Sequence, residues 1–418
     1  MSDPKPVSLA LVGCGWISGA HVDGYKALWE AGYRGMTISA CCDLNRATAE
    51  ERARQIAAFQ GTMPQVFTTT QALIAAQVAT AADICLPHCF HHATAIQLLE
   101  AGLHVQLEKP LGITVRASKA IIRAAEAAGR VLATAENTRR HLGARAAVWA
   151  VRTAQLIGEP LHGIVSIARD SRPDLTDPKW AWRNVTLING GGPLIDGGAH
   201  FADMMLQLFG AVEDVSCETR ILAPRVAVTV PIIGKTMSDA EDWWHAVIRF
   251  TSGMRVTWSY SHQLPGKELS TGVYYGRSGA LTDESGWLFH AFEGGGSFQA
   301  PGAAAVGARA LEERYLASLS GAERERLFPL GVQNSFAIEV WDFIEAVRTG
   351  RRPEMDGQAG LAAKALCLAC YESAALGGTR VRYADVLSGA VDAYQRPIDE
   401  RWGLLGRTAA PATAVAAR

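Results

Sequence analysis

The sequence predicts an α/β protein in two parts: a doubly wound parallel sheet first, then an α+β domain with a largely antiparallel, open sheet. Three observations predict it. Short apolar runs alternate with helical segments up to residue 135, the pattern of strands joined by crossover helices. Gly13-Cys14-Gly15-Trp16-Ile17-Ser18 stands between the first such run and the first helix. Beyond residue 138 the strand-like segments alternate apolar with polar positions, as a sheet with one wetted face requires.

Taken in order, residues 8–12 (SLALV) form a short apolar strand that stops at Gly13, and 19–31 read as a helix. A second strand at 36–42 (MTISACC) ends at Asp43, and the Ala- and Arg-rich stretch 45–60 is helical. Strands follow at 82–86, 103–107 and 130–135, with helices at 91–101 and 114–129 between them. The second part opens with a helix at 142–157 ended by Gly158. Its strands are expected at 161–169, 213–223, 243–250, 254–261 and 269–275, with helices at 193–209, 333–349 and 358–376 covering one face. Residues 291–332 are Gly- and Ala-rich around a charged helical patch and read as an insertion, a lid or subunit contact. The expected domains are 1–137 and 138–405, with 406–418 (GRTAAPATAVAAR) as a disordered tail.

A chain of 418 residues exceeds one hydrophobic core, which supports two domains. Hydrophobic residues make up 49% and charged residues 19%, ordinary globular composition. Lys plus Arg is 40 against 41 Asp plus Glu, so neither nucleic acid nor an anionic membrane is the expected partner. No segment is long and apolar enough to span a bilayer, and the polar start from Met1 to Val7 lacks a signal-peptide layout, so a cytoplasmic location is expected. The eight cysteines are expected reduced; Cys367 and Cys370 form a C-x-x-C inside an apolar helical run and read as core.

The glycine motif matches G-x-G-x-x-G except for Ser18 in third place. Gly13 permits the tight turn, and Gly15 lets a pyrophosphate approach the helix N-terminus, where free N–H groups favour anions. Asp43, ending the second strand, suits the ribose hydroxyls of an adenosine and would repel a 2′-phosphate. The first domain is therefore read as a Rossmann domain for NAD rather than NADP, Arg46 being the one feature that favours NADP.

Further motifs join this one: Leu86-Pro87-His88-Cys89-Phe90-His91, Ala101-Gly102-Leu103-His104-Val105 leading to Glu108-Lys109-Pro110, Gly190-Gly191-Gly192-Pro193-Leu194-Ile195-Asp196-Gly197-Gly198-Ala199-His200, and Arg352-Pro353. Together they resemble the glucose–fructose oxidoreductase/inositol dehydrogenase (Gfo/Idh/MocA) family over nearly the whole chain. The family more often has Thr-Pro-Asn where Leu86-Pro87-His88 stands here. The resemblance implies NAD contacts at Gly13, Gly15, Trp16, Ile17, Ser18, Asp43, Arg46, Pro87, His88, His91, Glu108 and Lys109, and a homodimer or homotetramer.

Lys109 follows a strand end, where doubly wound sheets place ligands, and its ammonium can favour a substrate alkoxide. Pro110 restricts it. Asp196 and His200 are spaced i, i+4 on a helix opened by Gly192-Pro193, so they share a face. His200 is read as general base, with Asp196 as its orienter or a substrate ligand. Asn137, Arg139 and Arg140 at the domain junction, with Trp182 and Arg183, are read as carbohydrate contacts alongside Asp196 and His200. Cys85, His88, Cys89, His91 and His92 cluster, but not with a zinc-ligand spacing, so no metal is expected.

The reading is an NAD-dependent oxidoreductase acting on a hydroxyl of a sugar, cyclitol or glycoside, taking no part in nucleic-acid or membrane binding. The alternative is an NAD-dependent redox-neutral glycosidase, acting by oxidation, elimination and re-reduction, with an anionic sugar glycoside suited to Arg139, Arg140 and Arg183. A cofactor-binding regulator without catalysis is disfavoured by the intact Lys109, Asp196 and His200.

Overall fold

The computed structural model describes residues 5–171, 173–230, 233–285 and 289–405. Strands β1 (Val7–Val12), β2 (Met36–Cys42), β3 (Gln65–Phe67), β4 (Ala81–Ile84), β5 (His104–Glu108) and β6 (Leu132–Ala135) form one sheet in the order β3-β2-β1-β4-β5-β6. Every pairing in it is parallel. Parallel neighbours need crossovers, and helices α1 (Trp16–Glu30), α2 (Arg46–Gln60), α3 (Thr70–Ala76), α4 (His91–Glu100) and α5 (Val115–Ala128) supply them. Caps set their ends: Asn45 accepts from the amides of Ala47 and Thr48 at α2, and Thr114 from Ala117 at α5. The sequence reading lacks β3 and α3, which are too short to show a period. The strand order reverses between β1 and β4, which makes their carboxyl ends the place where such sheets bind ligands.

Beyond β6 come α6 (Leu142–Arg152), β7 (Pro160–Ala168), α7 (Pro178–Ala181), α8 (Thr186–Asn189), α9 (Pro193–Asp196) and α10 (Gly198–Phe209). Strands β8 (Val212–Arg220), β9 (Ala227–Val230), β10 (Gly234–Met237), β11 (Trp243–Phe250), β12 (Arg255–Ser261), β13 (Leu269–Gly276), β14 (Gly279–Asp283) and β15 (Gly296–Gln299) follow. The chain continues through α11 (Ala308–Ser318), α12 (Gly321–Leu327), α13 (Ser335–Thr349), α14 (Gly357–Ala375), β16 (Val381–Arg382), α15 (Tyr383–Ser388) and α16 (Arg396–Arg401). Eight strands form a mixed sheet in the order β15-β14-β13-β7-β12-β11-β8-β16. Only β7 and β12 run parallel in it. Trp244, Ala246 and Ile248 on β11 are buried while His245 between them is exposed, the alternation that the sequence shows. Helix α10 packs on the buried face, with Phe201 stacked on Trp258 at 4.2 Å.

Two compact units result. One contains residues through Asn137 together with 327–361 and the described residues from Asp399; the other contains 138–326 and 362–398. The sequence reading runs the second domain unbroken to 405 and lays 333–349 on its sheet. In the structure α13 returns to the first unit, where Ala337, Val340, Phe343 and Ile344 share a core with Val22, Tyr25 and Leu28 of α1. An apolar helical stripe records that a helix is covered, not which sheet covers it.

The insertion read at 291–332 is partly built into the second unit. Residues 296–299 are the edge strand β15, Leu311 is fully buried, and Tyr315 of α11 packs on Trp149 of α6 at 6.1 Å. The expected helix 193–209 is broken at Gly197 into α9 and α10. Cys367 and Cys370 are buried in α14. The tail read at 406–418 lies outside the described residues. Among the described residues no helix is long and apolar enough to cross a membrane.

Candidate active site

The first unit carries a loop shaped for a dinucleotide. Gly13 has φ +87°, and a Cβ there would lie 2.4 Å from the Cys85 carbonyl oxygen, so only glycine fits. Gly15 differs: a Cβ on it would meet nothing within 4 Å, which leaves open space over the start of α1. No side chain caps that helix, so the amides of its first turn face this space. Ser18 is fully buried and donates its hydroxyl to the Gly15 carbonyl at 2.7 Å, filling the close-packed place of the third glycine. Asp43 accepts the amides of Cys14 at 2.8 Å and Asn45 at 2.8 Å, which docks the carboxylate at the loop. Trp16 is exposed, Ile17 is half-buried, and Arg46 is exposed and paired with Glu50 at 3.8 Å. Arg52, which lies outside the motif, donates to the Gly15 carbonyl at 2.9 Å and ties α2 to the loop.

Next to it, the ends of β4 and β5 are held by buried histidines. Pro87 leads a short 3₁₀ turn, His88–Phe90. His91 is fully buried, with Nε2 2.8 Å from the Leu86 carbonyl and Nδ1 3.0 Å from the Pro110 carbonyl. It therefore ties two loops together, a different place from the expected cofactor contact. His88 is buried too, its ring 5.4 Å from that of His91.

Glu108 likewise turns inward: its Oε1 lies 3.4 Å from His21 Nε2. His21 Nδ1 sits 2.9 Å from Asp83, which also accepts from Tyr25 at 2.9 Å and Gln106 at 3.2 Å. Burial lowers the proton affinity of His21, but the Asp83 carboxylate outweighs it and the pKa lies well above the ordinary histidine range. His21, Asp83 and Cys85 bring ligand-type atoms within 4.8 Å of one another, yet the histidine proton serves the Asp83 hydrogen bond there. Lys109 is half-buried at the end of β5, its amide on the Ala135 carbonyl and its bond to Pro110 cis. Asn137 donates to Ser335 at 3.2 Å.

The second unit builds its site on the glycine run. Gly191 has φ +146°, and a Cβ on it would lie 2.2 Å from the Tyr371 hydroxyl. Buried Glu241 holds the run, accepting the amides of Gly192 at 2.8 Å and Leu194 at 3.0 Å and the Tyr371 hydroxyl at 2.8 Å. Burial pushes the Glu241 carboxyl up to about 7, against the pull of these donors. Glu241 and Tyr371 thus seat the start of α9, and neither carries a local sequence signal for that task.

On this seat Asp196 accepts from Arg183 Nε at 2.9 Å, and the guanidinium lies 4.3 Å from the ring centre of Trp182. His200 Nδ1 lies 3.1 Å from the Thr138 hydroxyl, which is 3.4 Å from Glu293. The structure therefore gathers Trp182, Arg183 and Asp196, and places Thr138 and Glu293 beside His200. Arg139 and Arg140 differ from expectation. Arg139 is buried in a two-pronged pair with Asp203, at 2.6 and 2.9 Å, and Arg140 is 1% exposed. A basic run in sequence does not reveal that a carboxylate one turn along α10 engages it.

Comparison with known proteins agrees with this anatomy. Residues 7–136 match an oxidoreductase family model described as an NAD-binding Rossmann fold, and 146–282 match a GFO/IDH/MocA C-terminal domain. The chain is similar to D-glucoside 3-dehydrogenase of Escherichia coli (strain K12), 27% identical over 222 residues. That match covers 51% of this chain and 58% of the relative, so it spans little more than half of the latter's length. It is also similar to 1,5-anhydro-D-fructose reductase of Ensifer adhaerens, 25% identical over 334 residues, covering 79% of this chain and 88% of the relative. Among solved structures, levoglucosan dehydrogenase in complex with NADH and levoglucosan superposes with a TM-score of 0.72 at 22% identity, covering 91% of this chain and all of that one.

Proposed function

The chain belongs to the Gfo/Idh/MocA oxidoreductase family and carries its NAD-binding Rossmann domain, and from that premise we propose that it is an NAD-dependent dehydrogenase oxidising a hydroxyl of a sugar, cyclitol or glycoside. The observation that carries the reading is a carboxylate, Asp196, and an imidazole, His200, on the consecutive helices α9 and α10, the carboxylate being held by Arg183, whose guanidinium lies over the Trp182 ring. An aromatic face with a hydrogen-bonding carboxylate suits a polyol, and an imidazole suits removal of its hydroxyl proton. The names of the E. coli and Ensifer relatives support the same substrate class.

The residues present fit the dinucleotide. The uncapped amides at the start of α1 and the open space over Gly15 suit a pyrophosphate, and Asp43 suits the adenosine ribose. NAD bound there would supply the hydride acceptor. In this reading His200 takes the proton from the substrate hydroxyl. The role assigned to the Lys109 ammonium is to favour a substrate alkoxide by hydrogen bonding. Asp196, held by Arg183, accepts from a second substrate hydroxyl. Asp43→Ser is expected to narrow the preference for NAD over NADP, because a 2′-phosphate no longer meets a carboxylate. Titration of both cofactors by tryptophan fluorescence reads this, and an unchanged or widened preference counts against Asp43 as the discriminating group.

The function itself is tested with a panel of sugars, inositols and aryl glycosides supplied with excess NAD, recording NADH and released aglycone separately. NADH formed with at least one polyol is the expected result. Aglycone released with catalytic NAD and no NADH would replace the dehydrogenase by a redox-neutral glycosidase.

A further inference from the structure

We propose that Glu293 and Thr138 form a hydrogen-bond relay that holds the His200 proton on Nδ1 and so makes Nε2 the basic nitrogen of the site. The inference deepens the reading of His200 as general base and rests on it for its catalytic meaning. The Thr138 hydroxyl oxygen lies 3.1 Å from His200 Nδ1 and 3.4 Å from Glu293 Oε1. A hydroxyl has one proton to give, and an ionised carboxylate only accepts. The Thr138 proton therefore goes to Glu293, and Thr138 accepts from His200 Nδ1–H. A neutral imidazole with its proton on Nδ1 has its lone pair on Nε2.

Each member of the relay is held in place. Thr138 is 2% exposed, so water does not compete for it. It opens the 3₁₀ turn Thr138–Arg140, and Arg139 in that turn grips Asp203, which lies on α10 three residues after His200. The buried ion pair, unexplained as a substrate contact, thus fixes the turn against the helix that carries the histidine. On the other side, Glu293 stands on a strained loop. His290 and Phe292 both have left-handed backbones, with φ +54° and +61°, although neither is glycine. Such conformations cost about 1–3 kcal/mol each and persist where the surroundings enforce them. Asp283 does so by accepting the Phe292 amide at 2.8 Å. Close approach finishes the placement, since a Cβ on Gly143 would lie 2.4 Å from the Gly295 backbone.

The chemistry balances. As the substrate O–H bond breaks, its proton bonds to Nε2 and the ring becomes an imidazolium. Nδ1–H still donates to Thr138, and the Glu293 carboxylate at the far end of the relay stabilises the new positive charge. This is the part that a carboxylate plays behind a catalytic histidine elsewhere, with a hydroxyl interposed. Asp196, read from the sequence as orienter or substrate ligand, accepts from Arg183 and is proposed for substrate.

The relay is tested without any substrate by nitrogen NMR of the histidine-labelled full chain, the His200 signal being identified by its loss in His200→Gln. The wild type is expected to show the Nδ1–H tautomer. Thr138→Val and Glu293→Leu are expected to lose that preference, and Thr138→Ser, which keeps the hydroxyl, to restore it. With a sugar from the panel, Thr138→Val should lower kcat by about 10–100-fold, with NAD affinity unchanged and Thr138→Ser close to wild type. An Nε2–H tautomer in the wild type, or an Nδ1–H tautomer that persists in Thr138→Val, would overturn the relay. A panel on which the wild type makes no NADH would defeat the dehydrogenase reading while leaving the tautomer result standing.

Discussion

Lys109→Met is expected to lower turnover by about 10³-fold or more while NAD affinity stays within a few-fold of wild type. Lys109 directly follows β5, on the carboxyl side of the parallel sheet and beyond the strand-order reversal at β1 and β4. Its backbone is fastened on both sides, by the Ala135 carbonyl on its amide and by His91 on the Pro110 carbonyl that follows. The proposed role of this cation is to stabilise charge that develops on the substrate oxygen, and methionine keeps the length while removing the charge. Stopped-flow NADH formation and fluorescence titration of NAD measure the two quantities. Turnover unchanged in this variant would remove Lys109 from the mechanism, and a matching loss of NAD affinity would make it a cofactor ligand alone.

A second substitution should act on the opposite quantity. Gly13→Ala is expected to abolish measurable NAD binding and to destabilise the fold by about 3 kcal/mol or more. The backbone there has φ +87°, which alanine resists, and the new Cβ would stand 2.4 Å from the Cys85 carbonyl oxygen and 2.8 Å from its carbon. These are backbone atoms, and Cys85 is tied to Val12 by an amide–carbonyl bond of 2.7 Å, so the clash cannot be relieved by a side-chain rotation. Relief must move either the glycine loop or the end of β4. Denaturant melts with and without NAD read both effects. An alanine variant with wild-type stability and wild-type NAD affinity would show that the loop is not the constrained cradle described.

These two substitutions differ in how far the sequence foretells them. Gly13, Gly15 and Asp43 are legible because the motif is local: a strand, a turn and a helix start lie within a dozen residues, and the physics of the turn demands glycine. The parallel sheet is legible for the same reason, through continuous apolar strands such as 8–12, whereas three-residue β3 is not. The i, i+4 spacing reads Asp196 and His200 as one helix, but shows neither the break at Gly197 nor the partners that reach them. Arg183 comes from 13 residues upstream and Glu293 from the loop before β15, 155 residues from Thr138.

Long-range pairing also explains the assignments that changed. Glu108 and His91 sit in the motif segments, and their residue types suggest contact with a ligand. In the structure they face His21 and two carbonyl groups, because a buried carboxylate or imidazole must find partners inside the protein. Arg139 follows the same rule with Asp203. Helix α13 joins the first unit because its apolar face complements α1, and Gly24, where a Cβ would meet the Ala337 amide at 2.9 Å, allows the close approach. None of these choices has a signature within a few residues of the group that makes it.

In the proposed reaction hydride leaves a sugar carbon for NAD and stays there. The measurement that tests it most directly uses the best sugar from the panel with deuterium at the carbon to be oxidised, and follows the label by mass spectrometry. NADH is expected to accumulate one-for-one with oxidised sugar and to carry the deuterium on the nicotinamide ring. Deuterium recovered in the sugar product, with NAD unchanged at the end of the reaction, would contradict it.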